Sequence, residues 1–467
     1  MKKALIYTGI AILVIFYGCK KDTFITSKDA LVSLSADTLH FDTVFTSAGS
    51  VTQLFKITNG NNQKLKIDNV TLTGGAGSAF KINVDGEAGP GVNNIELDAN
   101  DSIFVFVTVT INPGLASLPF VIRDSIAITF NGTSKFVQLE AWGQNAHFLR
   151  SRKITGNTVW ANDLPYVILG GLQVDTTATL TIQKGCKIYL HADAPFLVDG
   201  SLQVNGERFD STRVYFTGDR MDYPYNEYPA AWPGIYLRGT SKNNVLQYAV
   251  IRNAYQGVVV QQPSVNANPK LILNECIIDN IYDAGLYGIE TSINARNCLI
   301  SNCGKNVQLV YGGNYQFIHC TMPTISNDYI SHKDPVLYIS NGVLVDGSMY
   351  TDNLSADFTN CIIWAANGTA DNEVVTSKQG TAAFNVNFTN CLWKVKDNPS
   401  NITSAVNIIS NQDPVFDSIN TTKRIFDFHL KEGSPALNKG VNTGVVSDLD
   451  GNPRPAGLPD LGAYEKQ

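Results

Sequence analysis

The sequence predicts an all-β protein, an N-terminal β-sandwich followed by a parallel β-helix, and three observations carry that prediction. Of 467 residues, 44% are hydrophobic and only 16% charged, enough apolar material for a core and too little charge for a disordered chain. Gly at 38, Tyr at 19 and Phe at 22 are the vocabulary of strands joined by tight turns. One short phrase also recurs: AVIRN at 249–253, CIIDN at 276–280, CLISN at 298–302, CTMPT at 320–324, CIIWA at 361–365 and CLWKV at 391–395. A chain this long exceeds one small domain unless a repeat absorbs the length. Lys and Arg total 35 against 41 Asp and Glu, a net charge of -6. With no basic block to neutralise phosphates, that balance argues against nucleic acid as a partner.

Lys2 and Lys3 precede an apolar run from Ala4 to Tyr17 that stops at Gly18-Cys19 and is followed by Lys20, Lys21 and Asp22. This is the shape of a signal peptide, too short for the ~20 residues that a membrane-crossing helix needs. A small residue before the first Cys resembles a bacterial lipobox, which implies cleavage and acylation of Cys19. Phe16 and Tyr17 depart from the usual Leu and small residue, although lipoboxes of the Bacteroidetes type are looser. The plain alternative is a secretory signal with an unmodified Cys. Acyl chains contribute ~0.8 kcal/mol per buried methylene, so the expected protein is membrane-anchored through its N-terminal lipid, on the outer membrane, without a span. Residues 20–30 are polar and read as a tether.

Residues 31–148 alternate in the strand manner, with SIFVFVTVTI, RDSIAITF and KFVQLEAWG separated by turns, which fits a β-sandwich. The order FDTVFTSAGS, FKITNGNNQKLKIDNVTL, SAFKINVDG, NDSIFVFVTV and VQLEAWGQNA resembles the immunoglobulin-like ASH and choice-of-anchor domains. That resemblance implies a spacer or adhesive module.

Residues 160–430 follow a different rule, with strands of three to five residues closed by Gly, Asn or Asp, as in Leu180-Thr181-Ile182 and Phe196-Leu197-Val198. Residues two apart in a strand share a side, so Ala249, Ile251 and Asn253 align with Cys276, Ile278 and Asn280 and with Cys298, Ile300 and Asn302. These rows face inward. Rungs ~4.8 Å apart place like residues above one another, giving roughly ten coils and a rod on the order of 45 to 50 Å long. Seven cysteines remain after Cys19, an odd number that a disulfide framework does not explain. Cys276, Cys298 and Cys320 lie 22 residues apart and mark the repeat. Metal binding would need CxxC or paired His, and only Cys298 and Cys303 are close, so the thiols read as small buried hydrophobes, with no metal and no cofactor expected.

The phrases IQKGCKIYLHADAPFLVDGSLQVNG, WPGIYL at 232–237, NVLQYAVIRNAYQGV and NECIIDN resemble the right-handed parallel β-helix, or pectin-lyase-like, lipoproteins of Bacteroidetes. The C-terminal stretch 431–467 resembles the choice-of-anchor closing segment of such proteins, with Asp448, Gly451, Arg454, Asp460 and Gly462 matching its D-x-x-G-x-x-R and D-x-G pattern. The resemblance implies the fold far more sharply than an activity, since the superfamily includes lyases, hydrolases, epimerases and adhesins.

Strand parity places Tyr248, Glu275, Asn297 and His319 in one exterior column and Arg252, Asp279 and Ser301 in another. Arg252, Glu275, Asp279 and His319 are therefore the candidate catalytic set, the equipment for proton removal beside a uronate or for acid/base hydrolysis. The bland alternative is a solvated face with an Arg252 to Asp279 ion pair. Asp448 and Asp450 share the start of a calcium loop but lack its closing Glu. The loop GDRMDYPYNEYPAAWPG at 218–234 carries Tyr223, Tyr225, Tyr228 and Trp232 beside Asp222 and Glu227, rings that stack on sugars next to acceptors for hydroxyls. For Trp232, packing as a lateral plug is favoured. His191 and His332 read as loop residues. The leading expectation is a non-enzymatic envelope module, periplasmic or at the cell surface, whose rod binds polysaccharide or another surface component, a surface protein included. The alternative is a polysaccharide lyase or glycoside hydrolase.

Overall fold

The computed structural model describes residues 23–45, 50–110 and 120–467. Cys19 and the apolar run before it lie outside the described residues. The chain divides into two compact units, Met1–Asn145 and Ala146–Gln467. Among the described residues the elements are strands and two short 3-10 turns, and no helix is long and apolar enough to cross a membrane.

The first unit is a β-sandwich. One sheet joins Phe24–Ile25, Lys64–Leu72, Phe120–Phe130, Thr133–Gln144 and Thr38–Phe45, with Gly91–Leu97 on Lys64–Leu72; the other joins Val32–Leu34, Gln53–Asn59, Ser102–Val109, Phe80–Val84 and Glu87–Ala88. Alternation in SIFVFVTV buries Ile103, Val105, Val107 and Val109 against Phe55, Ile57 and Ile126. The sandwich takes in more of the N-terminus than the sequence implied. Phe24–Ile25 pairs in parallel with Lys64 and Leu65, so the stretch read as a tether already contributes a strand.

The second unit is a coil of short parallel strands on three faces. Face A carries, among others, Val214–Gly218, Ala249–Arg252, Ile277–Asp279, Leu299–Ser301, Thr321–Ile325 and Ile362–Ala366; face B carries Ile235–Leu237, Val258–Gln261 and Leu337–Ser340; face C carries Asn244–Gln247, Leu271–Asn274 and Leu354–Thr359. Pairing is in register from rung to rung, as in Ile251 to Ile278 to Ile300. Two of the predicted inward rows are inward: Ala249, Cys276, Cys298, Cys320, Cys361 and Cys391 stack in the core beside Ile251, Ile278, Ile300, Met322, Ile363 and Trp393. The third, Asn253, Asn280 and Asn302, sits at a corner instead, where Asn253 and Asn280 reach out to residues 226 and 227. Thiols that face no water donate to carbonyls, Cys276 to Asn274 O at 3.3 Å and Cys298 to Arg296 O at 3.2 Å. Phe317, Phe358 and Phe388 stack at 4.9 Å, which is the rung spacing itself.

The ladder runs from His147–Ile154 to Ile409–Ser410 rather than over 160–430. His147–Ile154 bends at Ser151, whose φ of 42° turns the chain from one face to the next, a corner that a Ser does not advertise in sequence. At the other end, Phe416–Asn420 and Ile425–Leu430 leave the coil and pair as an antiparallel hairpin.

Corners are made by single left-handed residues. Between faces C and A these are Tyr248, Glu275, Asn297, His319, Asn360 and Asn390, with φ from 48° to 56°, and after face A they are Asn253, Asn280 and Asn302. Asn tolerates this conformation best among residues with a side chain, which explains its frequency.

A candidate binding cleft on the flank of the coil

From the hairpin strand Ile425–Leu430 onward the chain folds back along the outer side of face A. Phe428, Leu449 and Tyr464 pack on Leu299 and Ile325, and Leu430, Ala436 and Leu461 pack on Ile362, Trp364 and Leu392. The matched motif residues hold this segment together. Asp448 is fully buried and accepts from the backbone N–H of Asp450, Asn452 and Glu465. Those donors consume the carboxylate, so the calcium-loop likeness has a different physical content here. Arg454 is buried, pairs with Glu465 at 2.8 Å, and reaches the Asn297 corner at 3.0 Å and Gly462 O at 2.9 Å. Gly462 sits at φ 86°, where an added Cβ would stand 2.4 Å from Thr321 Oγ1.

This segment corrects the expected exterior column. Glu275, Asn297 and His319 are corner residues, not strand residues, so period-two alternation stops one position short of them and they do not face solvent. Asn360 Nδ2 donates to His319 Nε2 at 2.9 Å and to Val441 O at 2.8 Å, and Asn390 Nδ2 donates to Lys439 O. Burial, with Arg454 nearby, pushes His319 down to about 3, so the imidazole is neutral. Burial raises the Glu275 carboxyl, against the pull of Arg296 at 3.4 Å and a hydrogen bond from Asn297. Both side chains are enclosed, out of reach of a polymeric substrate.

Arg252 and Asp279 fall elsewhere. They end neighbouring face A strands, and Arg252 Nε stands 3.4 Å from Asp279 Oδ2. Asp279 Oδ1 also accepts from Ser301 Oγ at 2.7 Å and Asn302 Nδ2 at 3.2 Å. The two lie in a cleft of about 410 Å³ whose floor is Ile277 and Leu299 on face A. One wall is the C-terminal hairpin, through Arg424, Phe426 and Phe428; the other is the tyrosine loop, through Asn226 and Glu227.

The asparagine corners position that loop. Asn253 Nδ2 donates to Asn226 O at 2.7 Å and Asn280 Nδ2 to Glu227 O at 2.8 Å. Trp232 is 1% exposed, with its indole N–H on Arg252 O at 2.8 Å, so it is the plug beneath the loop and not a ligand platform. Tyr223, Tyr225 and Tyr228 remain 75%, 44% and 36% exposed. Tyr225 meets Tyr228 edge to face at 5.4 Å, and Tyr228 meets Tyr329 at 5.0 Å. Arg424 lies over Tyr329 at 4.2 Å and binds Glu227 Oε2 at 2.6 Å, closing hairpin and loop together. Arg424, Tyr329, Phe426 and Phe428 carry no signal in the sequence, because only the fold brings residues 227, 329 and 424 together.

His332 lies, as expected, in the loop between Thr321–Ile325 and Leu337–Ser340. It is buried and its Nε2 lies 2.8 Å from Glu373 Oε2. Among the described residues no group of three or more His, Cys, Asp or Glu is placed to hold a metal ion.

Residues 150–322 match the family described as right handed beta helix region. The second unit is a right-handed parallel β-helix. No curated protein matches the chain. A family 123 glycoside hydrolase from Clostridium perfringens shares 11% identity at a TM-score of 0.20, over 26% of this chain and 30% of that one. A protein of unknown function from Porphyromonas gingivalis shares 12% at 0.18, over 27% of this chain and 60% of that one. The ASH / PapD-like domain of human CEP192 shares 11% at 0.17, over 27% of this chain and 92% of that one. The chain thus spans less than two thirds of the first two structures.

Proposed function

We propose that the protein is a lipid-anchored, non-catalytic envelope module whose β-helix binds glycan in the cleft between the tyrosine loop and the C-terminal hairpin. The observation that carries this reading is the convergence of exposed tyrosines with a polar cleft on one flank. Glu227 lines the cleft, between Tyr225 and Tyr228 in the loop. Aromatic faces beside carboxylate, guanidinium and amide groups are what a sugar ring uses for stacking and hydroxyl recognition. The β-helix is a fold found in glycan-binding and polysaccharide-degrading proteins. Binding without turnover is favoured by the state of the acids. Asp279 is held by Arg252, Ser301 and Asn302, Glu227 is clasped by Arg424, and Glu275 and His319 are enclosed. A general acid or base needs a carboxyl or imidazole free to exchange a proton with the substrate. Gly18-Cys19 supports the lipid anchor, with the sandwich as spacer between anchor and rod. Intact-mass measurement of the membrane-extracted protein tests the anchor: diacylglyceryl and acyl mass on Cys19 is expected, and an unmodified mature N-terminus refutes it. Affinity electrophoresis of the chain from residue 20 in neutral and acidic polysaccharide gels tests binding, with retardation expected and weakened in Tyr228→Ala.

A further inference from the structure

Two residues past the corner asparagines Asn253 and Asn280, and outside the lining of the cleft, the turn that follows face A carries a second aromatic feature. Tyr255 N donates to Trp232 O, Tyr282 N to Ala254 O and Gly304 N to Ile281 O, which places Pro233, Tyr255, Tyr282 and Gly304 at successive steps of one column. Tyr255 and Tyr282 stack at 5.5 Å with 24° between their planes, and they are 46% and 54% exposed. Buried stacking has an obvious energetic reason, but these rings leave half their surface in water. The next step of the column is empty of side chain. A Cβ on Gly304 would meet Tyr282 O at 2.4 Å and Asp283 O at 2.7 Å, so this step admits only glycine. Among the described residues Tyr282 stacks on no ring but Tyr255. Its face toward Gly304 is therefore not filled by the column. Polar groups flank it: Asp283 takes Lys305 Nζ at 3.2 Å and Gln256 Nε2 at 2.9 Å.

We propose that Tyr282, backed by Tyr255 and opening over Gly304, is a second sugar platform that stacks one pyranose ring, with Asp283 and Lys305 addressing its hydroxyls; this rests on the glycan-binding reading above. A neutral, uncharged pyranose face is the ligand class, because the flanking charges already compensate one another and offer hydrogen bonds without a net field. Removing one stacked ring weakens such a site about tenfold.

The test is titration of the chain from residue 20 with cellohexaose, xylohexaose, mannohexaose and maltohexaose by calorimetry, for wild type, Tyr282→Ala, Tyr282→Leu, Tyr282→Phe, Arg252→Ala and Tyr228→Ala. The Leu variant keeps an apolar cover on Tyr255, and melting temperatures establish that each variant is folded. At least one hexasaccharide is expected to bind wild type, with about tenfold loss in Tyr282→Ala and Tyr282→Leu and retention in Tyr282→Phe. Unchanged binding in Tyr282→Ala with loss in Tyr228→Ala or Arg252→Ala overturns the platform and leaves the cleft standing. No binding of any hexasaccharide by wild type overturns the platform; retention of that same protein on polysaccharide gels would keep the cleft.

Discussion

Asparagine does two jobs at the corners, and both come from one short side chain. Asn253, Asn280 and Asn302 accept a left-handed backbone; the amides of Asn253 and Asn280 then reach outward to the tyrosine loop, and that of Asn302 ties neighbouring rungs through Asp279 and Ile325. Asn280 Nδ2 binds both Glu227 O and Asn253 Oδ1 at 2.8 Å. Asn280→Ala should lower stability by about 1 to 3 kcal/mol, read from the urea midpoint, and should loosen residues 218–234 to limited proteolysis. Asn280→Gly should recover part of the stability, through the backbone, and none of the loop protection. Arg454 is the counterpart in the closing segment. Arg454→Met leaves Glu465 and the Asn297 corner without their partner and should cost about 3 to 5 kcal/mol in the same measurement. The inward rows were legible at this scale because the phrase CIIDN repeats the strand period itself. Glu275 and His319 were misplaced because the same period was extended through a corner, where the backbone reverses the side chain's direction.

Among elements, the closing segment has a grip that depends on pH. His429 lies 2.8 Å from Asp450 and also contacts Asp427, and Asp450 raises its pKa to about 9, against desolvation and with help from Asp427. A raised histidine contributes fully below its ordinary value of 6.5 and loses that contribution as pH climbs through 9. His319 has the opposite sign. Held near 3 by burial, it contributes above 6.5 and loses that contribution as pH falls toward 3. Protection of amides in 431–467 from hydrogen exchange should therefore peak near pH 6.5 after correction for intrinsic rates. His429→Gln should flatten the alkaline side only. His429 is partly exposed, so salt should weaken that side as well. The segment's role as a lid over face A was hidden in the sequence, since its contacts join residues 297 and 454, or 360 and 441. Its motif residues were visible; what they bind was not.

For the whole molecule, the repeat disclosed a coil with free thiols inside, and strand alternation before it disclosed a sandwich. Cys186, Cys276, Cys298, Cys303, Cys320, Cys361 and Cys391 are buried and unpaired, and burial pushes up the pKa of Cys186, Cys276, Cys298, Cys303, Cys320 and Cys361. Folded protein from residue 20 should therefore leave all seven unreactive to Ellman's reagent, with release of all seven in a single phase on denaturation. The cleft was half legible. Tyr225, Tyr228, Arg252 and Asp279 stood out as rings and charges, whereas the hairpin that completes the wall is an arrangement of distant segments that no local pattern encodes. The central claim is that this cleft binds glycan and does not cut it. The measurement that tests it most directly is co-incubation of the chain from residue 20 with a polysaccharide that retards it, following bound protein together with reducing ends and unsaturated-product absorbance. The account predicts retention that falls at least about fivefold in Tyr228→Ala and Arg252→Ala, with no new chain ends over days. New ends that accumulate with wild type and vanish in Asp279→Asn would contradict it.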